Sequence, residues 1–146
     1  MRIIIDTREK LPLLFPGLEI ETRKLDEGDY NIKELEDIIV VERKSLIDLY
    51  GTLTHGHTRF KKEIQRSLKK GKYIYIFVEG SEAEFYSMKW AKVKLKTKPE
   101  TLKKMISTMQ DKYAIQIFWC INREIMQMII ILLFDQWLKI LKISED

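Results

Sequence analysis

Apolar positions change their period several times along the 146-residue chain, and each change predicts a different element. The β-branched run Arg2-Ile3-Ile4-Ile5 predicts a buried strand that ends on the polar Asp6-Thr7-Arg8-Glu9. Pro12, Pro16 and Gly17 mark a loop. Residues 18–24 alternate, with Leu18, Ile20 and Thr22 set against Glu19, Glu21 and Arg23, which predicts a half-exposed strand. Asp26-Glu27-Gly28-Asp29 reads as a turn before a short strand over 30–32. Ile38-Ile39-Val40-Val41 reads as another buried strand, running straight into Glu42-Arg43-Lys44.

Helical spacing takes over at Ser45. Ser45 and Asp48 form an S-x-x-D cap, and Leu46, Leu49 and Leu53 face inward. A second helix over 58–70 places Phe60, Ile64 and Leu68 on one stripe, and Gly71 stops it. Residues 73–78 are the most strongly β-forming stretch in the chain. Ser81-x-x-Glu84 and Thr97-x-x-Glu100 predict the starts of a short and a longer helix. A last strand falls at 115–119, and Asn122 caps a final helix that reaches about residue 141. Strands first, then helices alternating with single strands, predict a single α/β unit over 1–146: a central mixed sheet flanked by helices. The final helix is apolar nearly all round, so it is expected to cover two surfaces, one of them on a second copy of the chain. Packing inside one domain is the other way to cover it.

Composition narrows the classes. With 45% hydrophobic and 33% charged residues, the chain has enough apolar surface for a core. A single cysteine, Cys120, excludes an internal disulfide and a Cys-rich zinc site. The first apolar run stops at Asp6 and the longest, 128–134, has seven residues against about 20 for a span. An intracellular chain, cytoplasmic or nucleoid-associated, is therefore expected.

The net charge of +4 is unevenly spread: residues 1–44 carry 8 basic and 11 acidic side chains, residues 45–112 carry 15 and 7. Arg59, Lys61, Lys62, Arg66, Lys69 and Lys70 form one basic run, and a second lies between Lys89 and Lys104. Such runs fit the phosphates of DNA, or else solvate helix faces.

Three acidic elements end predicted strands or sit in the turn between them: Asp6 with Glu9, Asp29, and Glu42 with Lys44. Ionised carboxylates beside apolar strands need a partner, and a hard divalent cation such as Mg²⁺ or Mn²⁺ is one. Surface salt bridges are the other reading. Strand alternation puts Glu42 and Lys44 on one face and Arg43 on the opposite one. A metal-binding carboxylate beside an ammonium suits phosphodiester hydrolysis. Asp48 stands one helical turn from Lys44 and also favours the helix start by its charge. His55 and His57 lack a third ligand and read as loop or phosphate contacts. Trp90, among lysines, is a candidate base-stacking ring.

Together, Asp6-Thr7-Arg8-Glu9, Gly28-Asp29-Tyr30 and Val41-Glu42-Arg43-Lys44-Ser45 with Asp48-Leu49 resemble the nuclease domain of the XPF/Hef family of structure-specific DNA endonucleases. That family's signature, GD…ERKxxxD after a D-x-R-E element, is present in order. Arg59-Phe60 and Ile76-Phe77-Val78-Glu79-Gly80 also suit it, so the resemblance is close over 1–80 and looser beyond.

The resemblance implies a restriction-endonuclease-like core, metal-dependent hydrolysis of DNA at flaps, forks or branched junctions, and a homodimer. Residue by residue, it implies Asp29 and Glu42 as metal ligands, with Asp6 and Glu9 in the same acidic site. It implies Lys44 as the catalytic lysine, Arg8 and Arg43 holding the site or the phosphate, and Asp48 as the last acid of the signature. Relatives usually carry a tandem helix-hairpin-helix domain, which is not expected within 1–146, so the basic runs or a separate protein would grip the duplex. The rival reading is a non-catalytic DNA-binding or partner subunit with a nuclease-like fold.

Overall fold

A computed structural model describes residues 1–145, with side chains described through residue 142. Six strands, β1 (Arg2–Ile5), β2 (Glu19–Thr22), β3 (Tyr30–Asn31), β4 (Ile39–Ser45), β5 (Tyr73–Glu79) and β6 (Gln116–Cys120), form one sheet in the order β2-β1-β3-β4-β5-β6. The sheet is mixed: β3 runs antiparallel to both β1 and β4, while β1 with β2, β4 with β5 and β5 with β6 are parallel. Helices α1 (Leu46–Leu53), α2 (His57–Lys69), α3 (Glu82–Ser87), α4 (Pro99–Tyr113) and α5 (Arg123–Glu145) flank it, with a single 3₁₀ turn at Lys33–Leu35. This is the mixed, helix-flanked sheet that the pattern of the sequence predicts.

Alternation along the two central strands sorts the core into two layers. Ile39, Val41, Tyr75 and Phe77 pack with Ile3, Ile5 and, from α5, Met126, Ile130 and Phe134. Val40, Ile74, Ile76 and Val78 face the other way, against α1, α2 and α4 through Leu49, Ile64 and Ile106. Burial of these aliphatic and aromatic side chains is the main favourable term, at roughly 1.5–3 kcal/mol each. The buried Cys120 belongs to the α5 layer, and burial followed by the Glu79 charge pushes its thiol up to about 11, so it is unreactive.

Several local expectations shift. Strand β4 runs on through Glu42, Arg43, Lys44 and Ser45, because β5 pairs with it as far as Ser45 opposite Glu79. In α2 the third inward residue is Ser67, and Leu68 is 38% exposed. A step of seven residues returns to within about 20° of Phe60, whereas eight overshoots by about 80°. The fourth helix starts one residue later than the Thr97 cap suggests: Lys98 is its N-cap and Pro99 its first residue, as proline's fixed φ favours. The final helix continues to Glu145, with Asn122 Oδ1 accepting from the Ile125 N–H at 2.8 Å. It leaves Met128 and Leu132 at 63% and 58% exposure, on the side away from Met126, Ile130 and Phe134. Trp90 is not a free stacking surface: its Nε1–H donates to the Phe85 carbonyl and its ring lies parallel to that of Phe85. Among the described residues, no helix is long and apolar enough to cross a membrane.

The turn before β3 is tight. Gly28 has φ +84°, and a Cβ there would lie 2.9 Å from the Val41 carbonyl oxygen. Gly28→Ala combines left-handed strain with a backbone clash and is expected to lower stability by about 2 kcal/mol. A urea unfolding midpoint measures it, and an unchanged midpoint would contradict this account of the turn.

Candidate active site

The Gly28 turn matters because of the residue that follows it. The Asp29 N–H donates to Val41 O at 2.8 Å, and the Asp29 carbonyl accepts from the Asp6 N–H at 2.9 Å. Its carboxylate Oδ2 accepts from the Arg43 N–H at 2.8 Å. Asp29 is thus fixed to β1 and β4 by backbone groups and aimed into a cleft of about 620 Å³ walled by β4, α1 and α2.

Glu42 and Lys44 enter the same cleft from β4. They share the parity of Val40, so the pleat turns them toward α2, with Lys44 Nζ 3.9 Å from Glu42 Oε2 and 5.5 Å from the centre of the Phe60 ring. Burial raises the carboxyl pKa of both Asp29 and Glu42. At Glu42 the charges of Asp29 and then Glu63 add to it, and at Asp29 the Glu9 charge does, while Lys44 opposes at both. Without a cation, burial and mutual repulsion therefore favour the protonated form of this pair.

That pairing fits a divalent cation: two crowded hard oxygen ligands open to a cleft suit Mg²⁺ or Mn²⁺, which keep water and take phosphate oxygens. Among the described residues, no group of three or more His, Cys, Asp or Glu side chains is placed to hold a metal by itself. Asp6 accordingly departs from the ligand role implied for it. It is 1% exposed, outside the cleft lining, and its oxygens accept from the Leu25 N–H at 2.8 Å and from the Arg8 N–H and Nε at 3.0 and 2.8 Å. Burial raises its pKa, but these bonds outweigh burial and hold it low. Asp6 instead fixes Arg8, whose guanidinium lines the cleft and is influenced by the charges of Asp29 and Glu42 as well.

Arg43 lies on the opposite face of β4 from Lys44. Its Nε and Nη2 donate to Glu9 at 2.8 and 3.2 Å and its Nη1 to Glu79 Oε1 at 2.5 Å. Arg123 at the start of α5 donates to the same Glu79 oxygen at 2.9 Å, and the Tyr30 hydroxyl donates to Glu9. Glu9 borders the cleft, yet its oxygens are already engaged. Arg43 and Glu9 therefore brace β4, and only the backbone N–H of Arg43 touches Asp29. Asp48 lines the cleft from the first turn of α1, with its N–H donating to Ser45 Oγ at 3.1 Å.

The basic run divides. Arg59 and Arg66 line the cleft, Lys61 lines a separate pocket, and Lys62 and Lys69 are exposed outside both. Lys70 is tied to Glu27 at 2.5 Å, together with Lys72 at 2.7 Å. Glu27 and Glu63 are cleft residues that the sequence reading missed. Glu63 follows Phe60 by three on the face of α2 turned to the sheet, which was the available signal. Glu27 carries no such signal, because its partners Lys70 and Lys72, and Arg66 at 4.0 Å, are distant in the chain. His55 also lines the cleft, with its ring against Gly51.

A family model described as the ERCC4 domain matches residues 5–131. The chain belongs to the ERCC4 domain family. Its restriction-endonuclease-like fold is shared with XPF from Aeropyrum pernix, at TM-score 0.69 and 21% identity, covering 92% of this chain and 66% of that one. The same relative solved in complex with DNA gives TM-score 0.70 and 21% identity, covering 94% and 65%. The chain thus spans about two thirds of the length of those relatives. No curated protein matches it.

In this ERCC4 domain the raised pair sets a pH dependence. A carboxyl whose folded pKa exceeds its unfolded value holds extra proton in the folded state between the two, so stability rises as pH falls through that interval. Asp6 and Glu27, with lowered pKa, act oppositely: their contribution is present above their unfolded values and lost as pH falls through the folded ones. The melting temperature in EDTA is expected to rise from mildly alkaline pH toward the ordinary carboxylate range near 4.5, then to fall. Glu42→Gln should flatten the upper limb. A wild type already flat there would contradict the raised pair.

Proposed function

We propose that the chain is a divalent-metal-dependent DNA endonuclease that hydrolyses phosphodiester bonds at branched, flap or fork DNA. It acts inside the cell, in the cytoplasm or at the nucleoid, as a homodimer joined through α5. The observation that carries this reading is the meeting of Asp29, Glu42 and Lys44 in one cleft that Arg8, Arg59 and Arg66 also line. Membership of the ERCC4 family supports it, and the DNA held by the solved relative supports DNA as the substrate class.

Asp29 and Glu42 would hold Mg²⁺ or Mn²⁺. When bound, the cation would polarise the phosphodiester and lower the pKa of the attacking water. The Lys44 ammonium, kept extended between Glu42 and the Phe60 ring, donates a hydrogen bond to the water or to the phosphoryl oxygen and offsets the charge that develops there. Arg8, steadied by Asp6, presents its guanidinium to a neighbouring phosphate, and Arg59 and Arg66 do the same from α2. Arg43 and Glu9 stay in the brace, and Asp48 stands at the cleft beside α1.

Labelled flap, fork and linear duplex substrates incubated with Mg²⁺, Mn²⁺ or EDTA test the activity. Cleavage near the branch is expected with either cation and none in EDTA. Glu42→Gln and Lys44→Ala should each lower the rate by about 100-fold or more. Salt-sensitive DNA binding with no cleavage under any cation would instead mark a non-catalytic subunit.

The exposed Met128 and Leu132, one turn apart on α5, support the homodimer. Sedimentation is expected to show a dimer that Leu132→Glu converts to a folded monomer. A monomeric wild type at high concentration would exclude this interface.

A further inference from the structure

A second cavity, of about 310 Å³, opens between α2 and α4 on the far side of α2 from the catalytic cleft. Phe60 and Ile64 line both cavities, so the two are separated by a single layer of side chains. The floor is apolar, with Leu53, Met105 and Met109, and Tyr113 adds an aromatic ring. Lys61, Lys104 and Lys112 stand at its rim, and no acidic residue lines it. Among the described residues, none of these three lysines has a carboxylate within salt-bridge distance, which sets them apart from Lys70 and Lys72. Lys112 Nζ lies 5.4 Å from the centre of the Tyr113 ring. An apolar, aromatic hollow within a ring of unpaired cations matches a flat ring carried on a phosphate backbone.

We infer that this pocket receives one unpaired nucleobase of the substrate strand, with Lys61, Lys104 and Lys112 on the flanking phosphates. This rests on the reading of the chain as a DNA nuclease and deepens it. A base seated on one side of α2 places its own strand across the helix toward the cleft on the other side. The exposed Arg59 and Lys62 lie on that helix. Paired bases stay stacked in a duplex and cannot enter, so the pocket selects the unpaired arm of a fork or flap. The wall shared with the cleft favours a nucleotide over an acidic peptide.

The test uses the full chain and forks that carry one abasic site at successive positions of the single-stranded arm, read by fluorescence anisotropy in EDTA. At one position the abasic fork is expected to bind about tenfold more weakly than the intact fork. Thr108 is exposed at the pocket mouth, and Thr108→Trp should fill the pocket. That variant is expected to keep its melting temperature, to bind the intact fork as weakly as the abasic one, and to lose the abasic penalty. Changing Lys104 and Lys112 together to Gln should lower the slope of log affinity against log salt by about 1.4. Equal binding of intact and abasic forks at every position, or a penalty that survives Thr108→Trp, overturns the inference and leaves the nuclease reading standing. Absence of any DNA binding overturns both. A fluorescent Leu/Glu amphipathic peptide that binds wild type but not Thr108→Trp, with no abasic penalty, would assign the pocket to a protein and also overturn it.

Discussion

A pleated strand cannot turn two neighbouring side chains to the same side, and the candidate site follows from that rule at the end of β4. Glu42, Arg43 and Lys44 are adjacent in the chain but serve two layers. The carboxylate and the ammonium go to the cleft beneath α2, and the guanidinium goes to the layer that α5 covers. Because β5 pairs with β4 up to Ser45, the alternation is held to the last residue before α1. The same strand therefore delivers Glu42 and Lys44 to the cleft and anchors them from behind.

Charge is managed differently on the two sides. Behind β4, each acid has a fixed cation: Glu9 and Glu79 with Arg43, and Glu79 again with Arg123. Asp6 and Glu27 are satisfied in the same way by Arg8 and by Lys70 with Lys72. In the cleft, Asp29 and Glu42 have only Lys44 at the edge of salt-bridge range, and they crowd each other. Crowded acids in an open cleft, set against the ion-paired Asp6, Glu9, Glu27 and Glu79, mark it as the candidate site.

Much of this was legible in the chain itself. The strand runs at 2–5 and 73–78, the Ser45 and Ser81 caps, and the shared face of Glu42 and Lys44 all depend on local period and capping chemistry. Such features survive folding because they do not require knowledge of distant partners. The role of Asp6 was not legible, because its acceptors are filled by Leu25 and Arg8 across a turn whose path only the folded backbone reveals. Glu27 and Lys72 were hidden for the same reason, being separated by 45 positions. Trp90 misled because lysines surround it in sequence while Phe85 surrounds it in space.

The bridge from Arg123 through Glu79 and Arg43 to Glu9 has a mechanical outcome. Arg123 also donates to the carbonyls of Leu11 and Pro12, at 2.6 and 3.0 Å, so the head of the last helix is tied both to the opening loop and, through Glu79 and Arg43, to the strand that bears Glu42 and Lys44. The opening loop and the head of α5 thus form one latch behind β4.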